Sequence, residues 1–245
     1  MAEEKQFVAT DEAKGKAKQL RMFAILAWLV AIAGEVFAIL KLINNDTLTW
    51  LIVAIAVILA LSITGSLLWK KSNKLDPASE KDTVRFFVQN QLGAIMAVLS
   101  FLPLVILIFT NKNLDGKTKG IAGGVGVVAL LLAGIVGTDF NPPSIEKYTD
   151  QINAQTDSVT QLTNGIDKVY WTNQGNKYHL FADCYHIKNR EQHAGTVKDA
   201  WEARRIGDSE LCLTCKQRAE KMKSAIPSAA VNPLPKEHVP VPAGN

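Results

Sequence analysis

Residues 50–69 read WLIVAIAVILALSITGSLLW, a run with no charged side chain. As a helix it rises about 30 Å, the thickness of a bilayer's hydrocarbon core. It ends at Trp69-Lys70-Lys71, an amphipathic aromatic followed by basic anchors, the usual composition of a membrane–water boundary. Three further stretches, about 22–43, 92–110 and 121–138, share its apolar character. Together they predict a multi-pass α-helical membrane protein with four transmembrane helices, its membrane domain spanning 21–139. The mean hydropathy of +0.08 conceals this, because residues 140–245 are polar and charged.

Details within the spans refine the expectation. The third helix should begin ahead of its apolar run, capped by Ser79 or Asp82, and Pro103 near its middle predicts a kink. The fourth is rich in glycine. Gly120-xxx-Gly124 and Ala133-xxx-Gly137 put small residues on a helix face, where close packing within the chain is favoured over a dimer contact. Glu35 is the one acidic side chain inside a span. A buried carboxylate there is costly, so it marks either ion coupling in a transporter or channel component, or a group that reaches the interface or Lys41.

Basic residues set the orientation. Lys14, Lys16, Lys18 and Arg21 precede the first span, and Lys70, Lys71, Lys74, Lys81 and Arg85 lie between the second and third. The opposite loops carry Lys41, Lys112, Lys117 and Lys119. The bias places both termini in the cytoplasm of a cell-membrane protein. Residues 1–20 are expected to be a loose cytoplasmic N-terminus.

Beyond the spans, Asn141-Pro142-Pro143 ends the membrane domain and Ser144 can cap a new helix. Ile145, Tyr148, Ile152, Val159, Leu162 and Ile166 follow heptad spacing, with Gln155 as the odd member, and Asn164-Gly165 supplies the stop. This helical stalk, 144–165, should pack its stripe on the domain that follows; self-association into a homo-oligomer is the lesser alternative.

All three cysteines lie in that last domain, 166–224. They form His179-x4-Cys184 and Cys212-x2-Cys215, the ligand set of a closed tetrahedral zinc site. Val169–Thr172 and Lys177–Phe181 read as a hairpin around Asn173-Gln174-Gly175-Asn176, which delivers His179. Thr196 caps a helix through Arg205 with Ala200 and Trp201 facing inward, Gly207 breaks it, and Cys212–Cys215 opens a last helix to about Lys223. His186 could replace His179 as a ligand, and His193 is a further candidate; exposed histidines of this kind are more often not ligands. A redox dithiol at Cys212 and Cys215 is the competing chemistry. Four protein ligands leave no open position for water, which points to structural rather than hydrolytic metal.

The pattern Tyr170-Trp171-Thr172, Gly175, Tyr178-His179-x4-Cys184, then Ala200, Gly207 and Cys212-x2-Cys215, resembles small bacterial zinc modules of the Ada type, over roughly residues 168–222. The resemblance implies a zinc-stapled α+β fold with Cys184, Cys212 and Cys215 at matching ligand positions. His179 stands where the Ada domain has a cysteine, so methyl transfer does not carry over.

Net charge is +4, from 27 basic and 23 acidic residues. The module's basic residues are interleaved with acids, which favours a solvated face over a nucleic-acid groove. The Pro-rich stretch 225–245 reads as a disordered tail. The expected function is that of a membrane-anchored cytoplasmic zinc module acting as a non-enzymatic binding or scaffold protein, with the lipid bilayer and a protein as partners. A zinc- or redox-responsive sensor and a Glu35-dependent transporter are the alternatives.

Overall fold

A computed structural model of the chain describes residues 6–204 and 210–225. Four long helices come first: α1 (Asp11–Lys41), α2 (Leu48–Leu75), α3 (Thr83–Thr110) and α4 (Gly116–Gly137). All four are long and apolar enough to cross a membrane. Their outward faces are apolar, with Phe23, Leu26, Phe37, Val57, Leu99, Ile106, Leu131 and Ile135 exposed. Their inward faces are small or tightly packed. A bundle that shows its large apolar side chains outward is built for lipid, where helices associate by close packing rather than by escaping water.

Close packing is visible at two glycines. A side chain at Gly93 would meet the Gly137 carbonyl oxygen at 2.7 Å, so α3 and α4 touch backbone to backbone there. A side chain at Gly65 would strike the Trp28 indole at 2.6 Å, and Trp28 Nε1 donates to the Ser62 carbonyl. The Ala133-xxx-Gly137 pair thus serves packing within the chain, as expected. Gly120 and Gly124 face open space.

Helix lengths exceed the membrane on one side. The 31 residues of α1 extend about 46 Å, well beyond a hydrocarbon core of about 30 Å. The excess is the polar stretch 11–20, so the expectation of a loose 1–20 segment fails for residues 6–20; residues 1–5 lie outside the described part. Thr10 caps α1 by accepting from the Ala13 N–H, and Phe7 is buried edge-on against Tyr148 at 5.1 Å. An amphipathic reading overlooks this because Phe7 is a lone apolar residue in a polar run. Asp82, not Ser79, caps α3. The opposite loops are short and tied together, with Asn45 bonding both Asn113 and Asp115.

The stalk α5 (Ile145–Leu162) is capped by Ser144 and closed by Asn164 and Gly165, both at positive φ. Its stripe packs on the C-terminal module, with Tyr148, Ile152 and Val159 buried in that module's core. Gln155 Oε1 accepts from both Tyr178 Oη, at 2.9 Å, and Trp201 Nε1, at 2.8 Å. The polar residue that broke the heptad is the acceptor for two donors of the core.

The module holds β1 (Val169–Trp171), β2 (Lys177–Tyr178), β3 (His193–Gly195), α6 (Val197–Arg204), β4 (Glu210–Leu211) and α7 (Leu213–Ala225). The predicted hairpin is reduced to one bridge, Tyr170 with His179. The main partner of β1 is β3, antiparallel, and β2 pairs in parallel with β4. The sequence carried no strand signal at 193–195, a His-Ala-Gly stretch of low β propensity. Thr196 caps α6 reciprocally with Asp199, and Ala200 and Trp201 are buried, as expected. Gly207 and the 226–245 tail lie outside the described residues.

Two serine–glutamate pairs fasten stalk to bundle. Ser79 donates to Glu146 while Ser144 donates to Glu80, and the Ile145 N–H donates to the Ala78 carbonyl.

Candidate metal centre

The parallel pairing of β2 with β4 assembles the site. Its register sets Lys177 against Glu210 and Tyr178 against Leu211, so the next residues out, His179 and Cys212, emerge side by side. The Cys212 N–H donates to the Tyr178 carbonyl and locks that step. Cys184 arrives from a tight turn closed by its own N–H on the Phe181 carbonyl. Gln192 braces the turn by donating to the Ala182 and Ile187 carbonyls. Cys215 sits in the first turn of α7.

His179, Cys184, Cys212 and Cys215 are all buried, and their ligand atoms lie within 4.8 Å of one another. His179 Nδ1 is 3.7 Å from Cys215 Sγ. Around one zinc ion the edges of an S/N tetrahedron are roughly 3.6–3.8 Å, given bonds of about 2.3 and 2.0 Å. All four residues named from the sequence converge, and the arrangement could hold a metal ion. His186 does not join them: its ring is 6.2 Å from His179 and Nε2 faces Thr214. His193 is on β3, bonded to Asn173.

Electrostatics in the cluster are uneven. Burial pushes the Cys212 thiol up, but the Cys215 and Thr214 N–H groups outweigh burial and hold it below the ordinary thiol value. Burial, aided by the neighbouring Cys184, pushes Cys215 up to about 12 despite N–H groups from Leu180 and Phe181. Besides burial and the N–H groups, the opposite shifts of Cys212 and Cys215 reflect like charges competing at close range, and a divalent cation among such sulfurs reverses that balance. Outside the cluster, Arg218 of α7 donates to both oxygens of Asp183, at 2.8 and 3.0 Å, and stacks over Phe181 at 4.2 Å. That pairing ties the helix bearing Cys215 to the turn bearing Cys184, and it holds the Asp183 carboxyl below its usual value.

A cleft of about 450 Å³ borders His179 and Cys212, with Lys177, His186, Arg190 and Thr214 on its walls. Glu35 takes no part in this site. It is buried in the bundle, and its Oε1 accepts from the Leu104 N–H at 3.2 Å, in the turn after Pro103. Sequence reasoning singled out both Glu35 and Pro103 without seeing that they meet.

No protein-family model matches the chain, and no curated protein or solved structure matches it significantly. The chain is therefore defined by its own architecture: four helices able to span a membrane, and a small C-terminal α+β module carrying a His/Cys cluster.

Proposed function

We propose that His179, Cys184, Cys212 and Cys215 hold zinc, and that the protein is a membrane-anchored, non-enzymatic binding or scaffold module whose shape the metal maintains. The observation that carries this reading is the set of four buried donors, three of them sulfur, within 4.8 Å of one another. Softness of the donors and a tetrahedral spacing favour zinc over calcium or magnesium, which take oxygen ligands. Four protein ligands fill a tetrahedron, so no position is open for substrate. When bound, the ion would staple the β2 end, the Cys184 turn, β4 and α7 into one unit. The Ada-type resemblance agrees with this ligand order.

The cleft beside the cluster is the surface we assign to a protein partner, because the ligands fix two of its walls. The excess of Lys and Arg on the module side of the spans supports a cytoplasmic location, and a thiol-rich metal site suits a reducing compartment. Glu35, the one buried carboxylate in the four spans among the described residues, is engaged by a backbone N–H, which favours a structural role over transport.

The test is metal analysis of the full-length protein purified in detergent under reducing conditions, beside Cys212→Ser. One zinc per chain, lost in the variant together with module folding, is the expected result. A folded, metal-free wild-type protein would end the proposal.

A further inference from the structure

A second cavity, of about 690 Å³, lies between the bundle and the module. Lys16 of α1 and Lys71 of α2 line it from the bundle; Trp171 and His193 line it from the module. Glu12 is the one carboxylate in this lining, against the two ammonium groups, so the lining carries a net positive charge.

The neighbouring cations behave differently. Arg21 is consumed by Asp76, at 2.9 Å, and lies over Trp69. Lys70 Nζ donates to the Thr138 carbonyl at 2.7 Å. Lys16 and Lys71 have no hydrogen bond or ion pair among the described residues. Both are exposed, and two ammonium groups that face one cavity without a partner among the described residues favour an anion from outside the chain.

Depth identifies the anion. Thr138 caps the end of the apolar helix α4, so Lys70 and its neighbour Lys71 stand at the membrane boundary. Lys16 is five residues before Arg21, about 7.5 Å further along the axis, which is within the headgroup layer. Anionic headgroups are concentrated there, and basic pockets at that level bind them.

We propose that this cavity binds the phosphate of an anionic glycerophospholipid between Lys16 and Lys71, with the Trp171 ring forming an apolar wall. The lipid would bridge bundle and module. The site is independent of the metal reading.

The test is native mass spectrometry of full-length protein from nanodiscs of phosphatidylcholine with or without phosphatidylglycerol. Wild type should retain phosphatidylglycerol selectively. K16Q/K71Q should weaken retention about 25-fold, taking about fivefold for each lysine at an anionic surface. K16R/K71R should restore it. K14Q/K18Q, with the same charge change on α1 outside the cavity, should stay within about twofold. Equal loss in K14Q/K18Q, or no loss in K16Q/K71Q, overturns the proposal. In phosphatidylcholine discs, inorganic phosphate should bind weakly; saturation by phosphate with displacement of the lipid would assign the site to a soluble anion and overturn the lipid assignment.

Discussion

Replacing Glu35 separates a structural carboxylate from a working one. Its Oε1 accepts from the Leu104 N–H, one residue after Pro103 in α3. Proline contributes no N–H and its ring crowds the carbonyl one turn back, so the helix needs local repair there. The bond is 3.2 Å long, beyond the 2.7–2.9 Å usual for charge-assisted bonds, so a neutral carbonyl should serve nearly as well. Glu35→Gln should therefore cost less than about 1 kcal/mol. Glu35→Leu leaves a buried N–H without that acceptor and should cost about 1–3 kcal/mol. In a Pro103→Ala background, where the turn can close on itself, the Leu penalty should shrink. The assay is reversible unfolding in mixed micelles followed by tryptophan fluorescence, with Trp28 reporting from the same helix as Glu35. Equal losses for Gln and Leu, or a Leu penalty unchanged by Pro103→Ala, would refute the capping argument and return Glu35 to charge-dependent roles.

Gln155→Leu removes the shared acceptor of Tyr178 and Trp201 and should destabilise the module by about 2–4 kcal/mol, read by denaturant unfolding; a neutral effect would show that water replaces it. Phe7→Ala should cost about 3 kcal/mol and expose α5 to hydrogen exchange near Tyr148, whereas unchanged protection would detach the N-terminal segment from the core. Burial opposes charge on Glu146, but the Ser79 hydroxyl, the Glu80 N–H and Lys81 outweigh it and depress its pKa below 4.5. Its contribution is complete above that value and is lost as pH falls through the depressed one. Crosslinking between the α2–α3 loop and α5 should thus decline only below about pH 4.5, and a decline beginning near neutrality would contradict the pairing. Chelation should broaden module NMR signals while helical circular dichroism from the bundle persists; simultaneous loss of both would mean the bundle depends on the metal.

The parts legible in the sequence were those carried by local pattern. Charge-free runs announced the spans, Ser144 and Asn164-Gly165 marked the stalk, and the paired spacings of His179, Cys184, Cys212 and Cys215 named the cluster. What escaped was long-range. No local rule pairs β2 with β4 across the intervening β3 and α6, yet that parallel step brings His179 beside Cys212. Strand β3 escaped because it is held by its partner β1 rather than by its own composition. The Ser79–Glu146 and Ser144–Glu80 pairs join segments more than sixty residues apart, and each member reads in isolation as a loop or cap residue.

These ties and the His/Cys cluster share no residue, which decides how each can fail. The four ligands come from the β2 end, the Cys184 turn, β4 and α7, and none comes from α5 or α1. The clasp, Phe7 and Tyr148 hold α5 to the bundle without using a ligand. Structural zinc contributes about 10–16 kcal/mol in small peptides, far more than any single tie of about 1 kcal/mol. Losing metal should therefore melt the distal strands and α7 while α5 remains docked. Breaking the clasp should leave the cluster formed and free the whole module to move relative to the bundle. On the proposed reading, metal would set the module's internal shape, while the polar ties set its placement on the bundle. A partner that reads the cleft beside His179 would respond to the first, and a lipid held between Lys16 and Lys71 would respond to the second.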